Sequence, residues 1–228
     1  MPPCLAPFRA VDDVLQSLQD PPAKWSDEQH LAIGECFHLI HKYQERARVE
    51  GRPVYILPRD KQTFIGIFGR IFFCGALQDV EYRSERVLLP IFGCYGLTIR
   101  SEKTGDVLIE MDTSLPLYRT LDLPSVLSVL LHECTHACIF SECGQGLCGN
   151  RSGSDIFRAS CGTTSHGPAW QILAYTVERK ANIVLGLHFD LGREDAAWRQ
   201  TWEDADLGDS LLDRLFGDAA KRRIRWPA

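Results

Sequence analysis

From Ser26 to Gly51 the apolar residues Ala32, Cys36, Ile40, Tyr43 and Ala47 recur every three or four positions, the spacing of one helix face. Gln29 stands three residues after Ser26, which completes a capping-box signature, and Gly51 with Pro53 just beyond supplies the stop. A second helix is predicted from near Asp60 to about Gly75, because Phe64, Ile67, Phe68, Ile71 and Phe72 fall on one stripe. Ahead of both helices the chain is rich in proline, and the pattern predicts a loose lead-in over residues 1–25 with one short helical stretch around Val11 to Leu18.

After Gly75 the period changes. Val87 to Pro90, Tyr95 to Arg100 and Val107 to Asp112 read as strands, and Gly105 in the connection SEKTGD suits a hairpin turn between the last two. A helix is then predicted from about Pro124 to Phe140, with Asp122 or Leu123 at its cap and Pro124 in a first turn that has no use for its missing N–H. The Gly-, Ser-, Cys- and Asn-rich stretch from Ser141 to Ser165 reads as a long structured loop, a length usually tied to function or mobility. A fourth helix opens at Gly167-Pro168 and buries Trp170, Leu173, Ala174, Val177, Ala181 and Val184. The remainder holds short acidic helical pieces and a basic end, KRRIRWPA, read as a solvated tail. The expected class is α+β: zincin-like helices with a small antiparallel β-sheet. One domain is expected, with a lead-in at 1–25, a catalytic region at 26–186 and an extension at 187–228 packing on it.

Composition narrows the function classes. The chain has 228 residues, 45% hydrophobic and 24% charged, an ordinary globular balance. The formal charge of −5 gives no overall field for nucleic acid or an anionic membrane, so neither is expected as a partner. No run is read as an apolar membrane span, and acids interrupt the N-terminal segment where a secretory signal needs an apolar stretch. An intracellular, cytoplasmic protein is expected. Among the nine cysteines, Cys134, Cys138, Cys143, Cys148 and Cys161 crowd one stretch without a CxxC pair. Reduced thiols are the expectation, with a disulfide across the loop or a second metal site as alternatives.

The chemistry centres on His132-Glu133-Cys134-Thr135-His136, an HExxH sequence inside a predicted helix. Residues four apart share a helix face, so both imidazoles can reach one metal ion, and Glu133 lies where a carboxylate can take a proton from water or substrate. The pentapeptide arises by chance in on the order of one chain in a hundred, but here the apolar run LPSVLSVLL leads into it without a break. A catalytic zinc takes a third protein ligand and keeps a position open. Ile139 and Glu142 stand where a metzincin needs Gly and His, which excludes that spacing. His166, in TTSHGPAW at the mouth of the fourth helix, is the better third ligand, and Glu178 is the gluzincin-type alternative. His30, His38, His41 and His188 have no comparable setting. A purely structural zinc would be closed by a fourth protein ligand, and the retained Glu133 argues against that.

The run YGLTIRSEKTGDVLIEMDTSL, then LPSVLSVLLHECTHACIF and SHGPAWQILA, resembles the SprT-like metallopeptidase core over roughly residues 90 to 185. The resemblance implies one zinc ion per chain on His132, His136 and His166, with Glu133 as catalytic acid/base. Two features depart from it. The interval between His136 and His166 is considerably longer than in that family, and the zinc ribbon or basic tail of its DNA-repair members is absent. The chain also resembles fungal cyclopenases of quinolone alkaloid pathways, which contract a cyclopenin-type 6,7-bicycle to a viridicatin-type quinolone with loss of methyl isocyanate. A small-molecule substrate is therefore the first expectation, and peptide-bond hydrolysis the second.

Overall fold

The computed structural model describes residues 6–53, 55–85, 88, 94–101, 104–112, 121–142 and 165–196. Among the described residues the main elements follow in the order α1 (Ala6–Gln19), α2 (Asp27–Glu50), α3 (Pro58–Phe72), β1 (Glu81–Glu85), β2 (Gly96–Arg100), β3 (Val107–Asp112), α4 (Leu123–Glu142) and α5 (Pro168–Leu185), with a 3-10 turn at Pro22–Lys24. The class is α+β.

Local chemistry sets most helix ends. Ser26 caps α2 through both halves of the capping box, accepting from the Gln29 backbone N–H while its own N–H donates to the Gln29 side chain. Gly51 ends that helix in the left-handed conformation at φ 64°, where a side chain would be strained. On α4 the cap is Asp122, whose Oδ1 accepts from the Ser125 N–H at 2.9 Å and whose carboxyl is held below its ordinary range mainly by that residue. Gly167 caps α5, followed by Pro168 in the first turn.

The sheet has the order β1-β3-β2, with β2 antiparallel and β1 parallel to β3. The expected all-antiparallel sheet is thus corrected to a mixed one. The β2–β3 hairpin occupies one edge of β3, and the chain reaches the other edge by a crossover rather than a hairpin. The first strand also lies upstream of the expected Val87 to Pro90. Leu88 is helical, and the other residues of that stretch lie outside the described set. EYRSE escapes hydropathy because only its Tyr82–Ser84 face is covered. Gln62 of α3 secures it, accepting from the Tyr82 N–H and donating to the Val80 carbonyl.

The core is built around α4, which touches β2, β3, α1, α2, α3 and α5. That burial explains why the helix is apolar nearly all round. By length and composition Leu123–Ser141 could cross a membrane, a feature the hydropathy reading passed over, and 67% of it is buried in the fold. Phe64, Phe68, Phe72 and Phe73 fill the space beside it, with Phe189 edge-on to Phe68. The α1 helix is longer than the expected Val11 to Leu18 stretch, and its Val11, Val14 and Leu18 belong to this core. Downstream of α5, Phe189, Leu191 and Ala196 do too. The expected loop at 141–165 and the basic tail fall largely outside the described residues.

Candidate metal centre

Helical periodicity places His132 and His136 on one face of α4, ring centroids 4.9 Å apart. His166 arrives from the turn ahead of α5. Ser165 there adopts a left-handed φ of 62°, strained for a residue with a side chain and of the kind that clusters at functional sites. Gln171 of α5 donates to the His166 carbonyl at 3.3 Å, tying the turn to the helix it precedes.

The three Nε2 atoms form a nearly equilateral triangle with edges of 3.2, 3.1 and 3.1 Å. A neutral imidazole nitrogen either donates or accepts, so three of them cannot satisfy one another around a ring. One shared cation satisfies all three. Ligands about 2.0–2.1 Å from a tetrahedral ion stand about 3.3–3.4 Å apart, within a few tenths of an ångström of the edges seen. His132, His136 and His166 therefore lie close enough to bind a metal ion.

Two features hold the imidazoles in the ligating state. His132 Nδ1 lies 2.8 Å from the Leu191 carbonyl, which can only accept, so Nδ1 carries the proton and Nε2 keeps its lone pair. Burial, helped by the neighbouring His132 and His166, pushes the His136 pKa well below the usual histidine range. Trp170 forms the floor, its ring 4.7, 5.2 and 4.6 Å from those of His132, His136 and His166.

Glu133 is buried beside this triangle, its Oε1 4.0 Å from His132 Nε2. Its Oε2 accepts from the Thr98 hydroxyl of β2 at 2.7 Å. Burial raises the Glu133 pKa, and the electrostatic interaction with His132 and the Thr98 hydrogen bond pull against that rise. Gly96, two residues before Thr98 on the same strand face, gives the carboxylate its room. A Cβ there would stand 2.7 Å from both Cγ and Oε1 of Glu133. Gly96 and Thr98 received no role from the sequence. A glycine inside a strand pattern is the one signal that could have marked the close approach.

Glu178, the alternative ligand, is engaged elsewhere: it accepts from the Leu191 N–H and from the Arg193 guanidinium. His30, His38, His41 and His188 are exposed and away from the triangle. Cys134 lies buried on α4, and burial raises its thiol pKa well above the ordinary value, which makes it an inert packing residue. Cys143, Cys148 and Cys161 lie outside the described residues. Compared with protein-family models, with curated proteins and with solved structures, the chain matches none of them.

Proposed function

We propose that this protein is a zinc-dependent hydrolase acting at a carbonyl group, with Glu133 as the group that moves the proton. The observation that carries this reading is the pairing of a three-histidine triangle with a buried carboxylate that belongs to no ligand set. Imidazole donors suit zinc, and three protein ligands leave a position open, the mark of a catalytic rather than a structural ion. When bound, zinc supplies Lewis acidity that polarises the substrate carbonyl and acidifies water.

The protein's own residues supply the rest. The raised pKa of Glu133 brings the carboxylate nearer to working pH, where it takes a proton from the attacking water and returns it to the leaving group. Thr98 holds one carboxylate oxygen, so the other is the one that faces the reaction. Beside Glu133 runs the edge strand β2, with Ile99 on it and Tyr95 just ahead of it exposed. An extended backbone laid along such a strand gains main-chain hydrogen bonds, which favours a peptide as substrate. The resemblance to the SprT-like core supports the same choice. A second reading, rearrangement of a compact aromatic bicycle as in the cyclopenases, draws on the aromatic floor of Trp170 with Phe140 beside His136.

The experiment sets zinc-loaded protein against casein and against a cyclopenin-type compound at equal enzyme concentration, with Glu133→Gln as the control for contaminating proteases. Glu133-dependent proteolysis supports the peptidase. Glu133-dependent turnover of the bicycle alone replaces it with the second reading, and activity that persists in the Glu133→Gln protein overturns both.

A further inference from the structure

The turn from Phe189 to Gly192 has each of its backbone N–H groups claimed by a side chain. Asn182 of α5 accepts from the Phe189 N–H at 2.6 Å, and Ser128 of α4 accepts from the Asp190 N–H at 3.1 Å. Glu178 Oε2 accepts from the Leu191 N–H at 2.9 Å, and Asp190 Oδ1 from the Gly192 N–H at 2.8 Å. Gln171 adds a bond to the Arg193 carbonyl. Such complete restraint of a short irregular segment is more than packing alone requires. Toward the metal centre the segment presents the Leu191 carbonyl, which accepts a hydrogen bond from His132 Nδ1–H.

We infer that Glu178 is a positioning residue for the metal centre, acting through the Leu191 main chain to fix the tautomer and orientation of His132. This rests on the metal reading above and extends it to the layer behind the ligands. Glu178 Oε2 anchors the N–H of the residue whose carbonyl orients His132, while Oε1 binds the Arg193 side chain at 2.9 and 3.1 Å. If the Glu178 anchor is lost, the Leu191 carbonyl keeps only the restraint on its own peptide plane, the Gly192 N–H bond to Asp190 Oδ1. A less firmly held carbonyl weakens the preference of His132 for the tautomer that leaves the Nε2 lone pair free, against the one in which Nε2 carries the proton. Partners of this kind behind metal-bound histidines are typically worth ~10- to 100-fold in metal affinity.

Glu178 and Arg193 are a largely buried pair, so removing one charge alone strands the other. Two double variants avoid this. E178Q/R193M removes both charges but keeps a side-chain carbonyl oxygen to accept from the Leu191 N–H. E178L/R193M removes both charges and the acceptor. Zinc affinity by competition with a chromophoric chelator, and the visible spectrum of the cobalt-substituted proteins, are compared with wild type. The expected result is E178Q/R193M within ~3-fold of wild type with an unchanged cobalt spectrum. E178L/R193M is expected to bind ~10- to 100-fold more weakly, with an altered spectrum. Equal affinities in the two double variants overturn the proposal. A wild-type protein that binds no zinc is a different outcome and overturns the metal reading itself.

Discussion

At the scale of single residues, the site depends on how little room surrounds Glu133. Replacing it with Gln leaves every ligand in place, so the expected outcome is retained zinc and a loss of activity of ~10²-fold or more. Gly96→Ala tests the same carboxylate from the opposite side. The new methyl group meets Glu133 at 2.7 Å, so the carboxylate has to move. Activity is expected to fall at least tenfold while zinc content stays at the wild-type level, read by elemental analysis beside a steady-state assay. Lys61 offers a test by pH. It is wholly buried between the rings of Tyr55 and Tyr82, donates to the Tyr82 hydroxyl, and burial lowers its pKa to about 7 from 10.5. Between those values the unfolded chain binds the proton that the folded chain has released, so stability rises with pH across that window and is lowest below about 7. The urea midpoint of wild type is therefore expected to climb from pH 7 toward pH 10 relative to Lys61→Met, and parallel curves for the two proteins would show that Lys61 does not titrate in this way.

At the scale of elements, the helices were legible because each of their signals is local. Ser26, Gln29 and Gly51 marked α2 within a residue at either end, and the phenylalanine and isoleucine stripe marked α3. The expected outcome for Ser26→Ala is a loss of about 1 kcal/mol in chemical denaturation, with the fold unchanged, because one cap is removed from a long helix that packing otherwise holds. The β2–β3 hairpin was equally legible from Gly105, whose φ is 79°. By contrast β1 was not, since its pairing is parallel and non-local and its cover comes from Gln62, a polar side chain on another helix. The same holds around the site. HExxH and the turn at His166 could be read from spacing and helix entry. Thr98, Gly96 and the Leu191 carbonyl reach the site through strand register and a turn after α5, and neither is encoded in a local period.

At the scale of the whole molecule, α4 is both the core of the fold and the carrier of two of the three histidines, so stability and chemistry share one element. Its packing against α1, α3, α5 and the sheet fixes two of the three imidazoles whose Nε2 atoms stand 3.1–3.2 Å apart. An ion held by the three histidines would join α4 to the turn ahead of α5 in the folded state alone, so zinc is expected to raise the melting temperature and chelation to lower it. The most direct test is the zinc content of purified wild-type protein beside that of His166→Ala. About one zinc per chain in wild type, lost in His166→Ala with the helical content preserved, is the result expected of a centre formed by His132, His136 and His166. Zinc retained undiminished in His166→Ala, or no zinc in wild type, would contradict it.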